Sequence, residues 1–492
     1  MQNRNAIGAV SILAGLALIQ VAGLRAQRAD LSSLTPEASG PYGGSGPGWW
    51  TAGLDEILPV EEEYNDDTGQ LRVLNANGFV RSRNHPFFEA LGTNGRACVT
   101  CHQPSNGMSV SAAGLRQRWD ETDGKDAVYA AVDGANCPDL PQIDKRSHSL
   151  LLNRGLFRIA LAWPPKNDDG TRVKPEFRIE VVNDPTGCNT SAVYGLNSAD
   201  PRVSVFRRPR VAANLKYVVD GPAGLTFMAD GRHLSLRNQA ADAAMTHEGA
   251  QKPTEEQLRQ IVEFESQVYL AQGTDSRAGL LHGVNAPLPL GPETLLAGKA
   301  YPMEAGGGGK ETNPNWLSFD EWRKAGGEDA GLQSQFRASV ARGSDVFFGH
   351  QFRISNVEGS GISGMGTCST CHSRQEHRWM NIGTANVASA ESERPRELPL
   401  FRITCDTAAT PDAWRGRVIY TLDPGRALIS GKCSDVGSFV MPQFHGLAAR
   451  APYFANGSAA TLDDVVDFYE RRFHLGLSER EKQDLVHFLR VL

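Results

Sequence analysis

Cys98-Val99-Thr100-Cys101-His102 and Cys368-Ser369-Thr370-Cys371-His372 decide the reading of this chain. In a sequence of this composition one C-x-x-C-H run arises by chance only about 0.003 times, and here there are two. The spacing has a chemical reason. Two thiols three positions apart add to the two vinyl groups of a haem, and the adjacent imidazole reaches the iron from one face. A thioredoxin-like pair would not require the His. Zinc would want further paired Cys or His ligands, and none stand at such spacing. The runs therefore predict two covalently bound c-type haems, attached at Cys98, Cys101, Cys368 and Cys371, with His102 and His372 on the irons.

The remaining cysteines are 137, 188, 405 and 433. Three pairings are formally possible. The simplest joins Cys137 to Cys188 and Cys405 to Cys433, one bridge within each half, and buried free thiols are the alternative. Arg4 and an apolar run from Ala6 to Leu24 read as a secretory signal over 1–26. The run is 19 residues long, so an uncleaved membrane anchor is the other reading. Export to an oxidising, periplasmic setting suits persistent disulfides. With 50 Lys and Arg against 56 Asp and Glu, the net charge is −6. That excludes the basic footprint of a nucleic-acid binder and suits a basic protein partner.

The 492 residues suggest about three domains. The halves share more than the C-x-x-C-H runs. Asn456-Gly457 is followed five residues after the glycine by Leu462, and Asp230-Gly231 is followed likewise by Leu236. Each half then closes with a capping box and an amphipathic helix. Thr254-x-x-Gln257 opens one, with Leu258, Ile261, Val262, Val268 and Tyr269 as apolar positions; Ser478-x-x-Glu481 opens the other, with Leu485, Val486, Phe488, Leu489 and Leu492. Arg342 to Phe347 reads as a helix ahead of the second run, and Asn84-His85-Pro86-Phe87-Phe88 precedes the first. The pattern divides the chain into an N-terminal extension at 27–79, a first haem domain at 80–285 and a second at 335–492. A Gly/Pro-rich linker at 286–334, including Gly306 to Gly309, joins them. Residues 103–200 read as a loop-rich insertion, with apolar runs at Ser149–Leu152 and Phe177–Val182 and a possible hairpin. The fold class expected is mainly α: two class I cytochrome c-like haem domains with long loop-rich insertions. Aligning the repeats places Tyr469 seven residues after Leu462, where the first half has Ala243 after Leu236. A phenol can ligate iron and a methyl group cannot, so the first haem would have an open face. A core tyrosine is the plain alternative for Tyr469.

The run from Pro442 through His445-Gly446, Arg450, Pro452-Tyr453-Phe454 and Asn456-Gly457 to Thr461-Leu462 resembles the signature of bacterial di-haem cytochrome c peroxidases, within the MauG-like superfamily that includes methylamine-dehydrogenase maturation enzymes. The resemblance covers about 80–270 and 335–492. It implies two helical cytochrome c domains with the active iron in the first, and His102 and His372 as proximal ligands. Tyr469 falls where the peroxidases place Met and the maturation enzymes place Tyr. Gln239 matches a distal Gln. The family's catalytic Glu would fall at Gly249, so Glu248 and His247, one and two residues short, are joint distal acid–base candidates. Three departures stand out. Ala229 replaces an inter-haem Trp. Arg207 stands at an Asn ligand of the inter-haem calcium, and its positive charge argues against that ion. Met441 is a second candidate for sixth ligand.

The implied reaction is H2O2 + 2 H+ + 2 e− → 2 H2O, with Glu248 or His247 moving the proton and Gln239 and Arg232 orienting peroxide or stabilising negative charge. A small cytochrome c or cupredoxin would donate electrons. An anionic Tyr469 ligand would favour ferric over ferrous iron. The alternatives are a pure electron-transfer di-haem cytochrome and an oxidase acting on a protein or organic substrate. No nucleic-acid partner is expected, and a membrane only if the N-terminal segment is uncleaved.

Overall fold

The computed structural model describes residues 48–492, apart from 168–169, 220–225, 284–285, 298–313, 328–329, 358–362, 373–383, 389–390 and 392–393. The expected signal segment and the Gly306 to Gly309 run lie outside the described residues.

Helix starts follow the sequence closely. Ser235 accepts a hydrogen bond from Asn238 N and opens the helix Leu236–His247. Thr461 opens Leu462–Phe473 through a capping box with Asp464. Thr254 with Gln257 opens Glu255–Gln267, and Ser478 with Glu481 opens Glu479–Arg490, each as a reciprocal capping box. Each box satisfies backbone N–H groups that the first helical turn leaves without partners. The two halves repeat in detail. Ahead of the cavity-facing helices, Phe227 bridges His233 and Tyr453 bridges Ala459. Met228 and Gly231 have left-handed φ of 69° and 67°, and Phe454 and Gly457 have 66° and 60°. The same turn is built twice.

The longest helix described, Leu332–Gly349, crosses Glu479–Arg490. A Cβ on Gly343 would fall 2.0 Å from the Asp484 carbonyl oxygen, so the crossing needs a residue without a side chain there. Phe347, Phe348 and Phe488 meet in the same core. In the first half Phe87, Phe88 and Phe264 form the matching cluster.

The expectation of a mainly α chain is overturned. The chain is 33% helical and 18% strand, with several small sheets. Glu61–Asn65, Gly69–Asn75, Val268–Asp275 and Gly279–Leu280 form a four-stranded antiparallel sheet in that order. The expected extension at 27–79 thus supplies two strands of it. Val268 and Tyr269, read as helix positions, open the third strand instead. Phe157–Ala162 pairs with Arg202–Arg207. Phe177–Val182 does not make a hairpin with its neighbours: Arg178–Asn183 pairs with Leu400–Thr404 from the second half, which also pairs with Val418–Thr421. Ser149–Leu152 is helical, within Ser149–Arg154. Cys137 is bonded to Cys188 and Cys405 to Cys433, while Cys98, Cys101, Cys368 and Cys371 are free thiols. Cys405 and Cys433 lie in the apolar core under the three-stranded sheet.

Candidate functional site

Both C-x-x-C-H runs fold as short helical turns capped in the same way. Ala97 N donates to Thr100 Oγ1 at 3.1 Å and Thr367 N to Thr370 Oγ1 at 2.8 Å. Threonine at the third position of each run closes the turn that brings two thiols and an imidazole to one side. Behind each imidazole stands an aromatic ring: Phe87 lies 6.5 Å from His102 and Phe347 lies 6.5 Å from His372, centroid to centroid. His102 Nδ1 lies 3.0 Å from Met108 O. A carbonyl only accepts, so Nδ1 carries the proton and Nε2 is left for a metal. Burial holds His102 below its usual range and pushes His372 down to about 3, so both are neutral, as ligation requires.

One cavity of about 360 Å³ touches both runs, at Cys101 and His102 and at Cys368, Cys371 and His372. The two equivalent helices both line it. Leu236, Gln239, Ala243 and His247 line it from the first, and Leu462, Val465, Tyr469 and Phe473 from the second. The offsets are identical and follow the helical period, so each set is one face. The chemistry of the two faces differs. The first offers an amide, a methyl and an imidazole. The second offers apolar and aromatic groups with a phenol, and Tyr469 stands edge-on to His372 at 6.3 Å between centroids. Burial raises the Tyr469 phenol above its usual range. Met441 also lines the cavity, and its carbonyl accepts from Arg210 at 2.7 Å.

The structure separates Glu248 from His247. His247 faces the cavity, and its Nδ1 lies 2.6 Å from Asp133 Oδ2. Asp133 is buried and is held on its other oxygen by Arg96, which also donates to the carbonyls of Ala127 and Val128. Burial, and then the positive charges of Arg96 and Arg232, push His247 down to about 4. Glu248 ends the helix and turns away from the cavity wall. Its Oε2 accepts from Leu91 N at 3.1 Å and its Oε1 lies 3.5 Å from Cys98 Sγ. Burial raises it to about 7. Gln239 and Arg232 line the cavity, and Arg232 is tied to Asp230 at 2.8 Å and Asp242 at 3.1 Å. Sequence reasoning missed Asp133, which sits in a loop with no motif. It also missed Glu265, a buried cavity-wall carboxyl whose Oε2 has no hydrogen-bond partner and which burial raises to about 8.

Arg207 is fully engaged, by Asp423 through two hydrogen bonds at 2.6 and 2.9 Å and by Asp230 at 2.6 Å. The neighbouring Arg208 donates to the carbonyl of Arg450 at 2.7 Å. One guanidinium paired to carboxylates and a second already bonded to the Arg450 carbonyl do not fit a bound cation at that place. Ala229, at the expected aromatic position, takes a backbone hydrogen bond from Val440 at 2.8 Å.

The residues present fit covalent haem. Four unpaired thiols, two neutral imidazoles and a shared cavity are the donor set that thioether attachment and axial ligation use. This defines a class: a chain with two C-x-x-C-H turns opening on one cavity, lined by one polar and one aromatic helix face. No family model matches the chain. It is 28% identical over 195 residues to cytochrome-c peroxidase IdrP1 of Denitromonas iodatirespirans, covering 36% of this chain and 44% of that protein. It is 32% identical over 141 residues to cytochrome-c peroxidase IdrP2 of the same organism, covering 27% and 37%. Against cytochrome-c peroxidase IdrP1 of Pseudomonas sp. (strain SCT) it is 25% identical over 150 residues, covering 27% and 38%. The chain thus spans less than half the length of these curated relatives, all of them oxidoreductases by name.

Proposed function

We propose that the protein is a periplasmic di-haem c-type peroxidase that reduces H2O2 to water at the His102 site. Electrons would pass through a six-coordinate haem at His372 from a small cytochrome c or cupredoxin. The observation that carries this reading is the unlike pair of helix faces on one cavity: Gln239, Ala243 and His247 against Val465, Tyr469 and Phe473. Similarity to proteins named cytochrome-c peroxidase supports it. The two disulfides suit an oxidising compartment. Among the described residues no helix is long and apolar enough to cross a membrane.

A haem on Cys98, Cys101 and His102 would supply an iron that binds peroxide oxygen and passes it electrons. The chain does the rest. Ala243 puts a methyl group, which cannot ligate iron, on the cavity wall at the position where the second half has Tyr469. Asp133, ion-paired with Arg96, accepts from His247 Nδ1–H and leaves Nε2 as the acceptor. Because His247 is neutral near pH 7, Nε2 takes the proton from one peroxide oxygen and returns it to the other as the O–O bond breaks. Gln239 orients peroxide, and Arg232 stabilises negative charge as it develops. Tyr469 would close the second site by holding a haem iron there, with Met441 as the alternative ligand.

The Tyr469 position supports one second reading, an oxidase acting on a protein or organic substrate. Steady-state assay of haem-loaded protein with H2O2 and reduced cytochrome c decides between them. The expected result is two covalent haems per chain and sustained turnover. Absence of covalent haem, or haem-loaded protein that oxidises an added organic or protein substrate but no reduced cytochrome c or cupredoxin, would overturn the proposal.

A further inference from the structure

Five arginines line the cavity: Arg207, Arg208, Arg210, Arg232 and Arg450. They fall into two groups. Arg207 and Arg232 are ion-paired with Asp230, Asp242 and Asp423. Among the described residues, Arg208, Arg210 and Arg450 meet no carboxylate. Arg208 donates to the carbonyls of Arg154, Val110 and Arg450. Arg210 donates to those of Val440 and Met441. Arg450 donates to Gln443 O at 2.6 Å, and its buried Nε has no partner among the described residues. Burial pulls all three below the usual arginine range, and the charge of Arg450 lowers Arg208 and Arg210 further.

Three buried like charges on one cavity wall are costly unless an anion joins them. Backbone carbonyls offer only partial charge. The orphaned Nε of Arg450 is a donor waiting for an acceptor. The cluster also spans the chain's two halves, since Arg208 and Arg210 come from the first and bond to carbonyls of the second. Glu265, on the same cavity wall, has an unpartnered Oε2 and, among the described residues, no hydrogen bond to any of them.

We infer that Arg208, Arg210 and Arg450 are the seat of the haem carboxylates, a cationic bridge that serves both haems without a metal ion. This rests on the proposed di-haem reading. Guanidinium forks match carboxylates in pairs, so one cluster can hold groups from two macrocycles.

Redox titration of the haem-loaded protein, followed by absorbance, tests it. In Arg208→Gln and Arg450→Gln, both midpoint potentials fall, because a lost positive charge favours the ferric state. Lysine at either position restores most of the shift, and Arg259→Gln on an exposed helix face moves neither potential. Wild-type potentials in glutamine variants that carry both haems would overturn the inference. Wild-type protein gives a test that needs no variant. Dialysis against EGTA leaves potentials and spectra unchanged, whereas a change that added calcium reverses would overturn it. Haem content of the wild type is read separately, so failure of the di-haem reading is distinguishable from failure of the arginine seat.

Discussion

His247 and Glu248 are adjacent in sequence, and one helical step of about 100° parts their roles. His247 continues the face of Leu236, Gln239 and Ala243 and reaches the cavity. Glu248 is turned toward Leu91 and Cys98. His247→Ala should lower peroxide turnover about 10²–10⁴-fold, the range of a lost general acid–base group. Asp133→Asn should lower it less, while Glu248→Gln stays within about threefold. Steady-state rates at saturating peroxide check this order, and a larger loss in Glu248→Gln would reverse the assignment. The sequence allowed both candidates but not the choice, because the choice depends on where the helix ends. Asp133 was illegible altogether, since its partner lies 114 positions away. Glu265 makes a pH prediction. Burial raises it to about 8 from an ordinary 4.5, so the folded chain holds a proton that the unfolded chain has lost. Its contribution to stability is complete below the ordinary value and declines as pH rises to about 8. Melting temperature should fall across that window in wild type, and Glu265→Gln should flatten the fall. An equally steep fall in the variant would contradict this.

At the scale of elements, the capped helices were readable because caps and the 3.6-residue period are local signals. Thr254-x-x-Gln257 and Ser478-x-x-Glu481 start helices as their residues dictate. The strands were not readable for the opposite reason. Val268 and Tyr269 continue an apolar helical pattern, yet they pair with Asn75 and Leu74 from the other end of the half. Arg178–Asn183 finds its partner in Leu400–Thr404. Such pairings are decided by tertiary contacts, so a chain with strong helical motifs carries more sheet than its motifs suggest. The crossing of Leu332–Gly349 over Glu479–Arg490 gives a direct test. Alanine is favoured over glycine in a helix by about 1 kcal/mol, but at 343 its methyl meets the Asp484 carbonyl. Gly343→Ala should therefore destabilise, by about 1–3 kcal/mol, as overpacking does. Urea unfolding measures it, and a gain in stability would mean the crossing has room for a methyl group.

The whole molecule sets two similar half-sites on one cavity and makes them chemically unlike. The repeated turn, the repeated Phe cluster behind each imidazole and the repeated helix face give the likeness. Ala243 against Tyr469 and His247 against Phe473 give the difference. The likeness was legible from the paired C-x-x-C-H runs and glycine turns, and so was the Ala243–Tyr469 contrast. The shared cavity and its arginine wall were not, because residues 207–210 and 440–450 meet only in the folded chain. Electron paramagnetic resonance of the resting ferric, haem-loaded protein, recorded before and after cyanide, tests this inequivalence most directly. Two distinct ferric signals are expected, one that shifts on adding cyanide and one that does not, with both shifting in Tyr469→Phe. A single signal for both irons, or two that cyanide leaves unmoved, would contradict it.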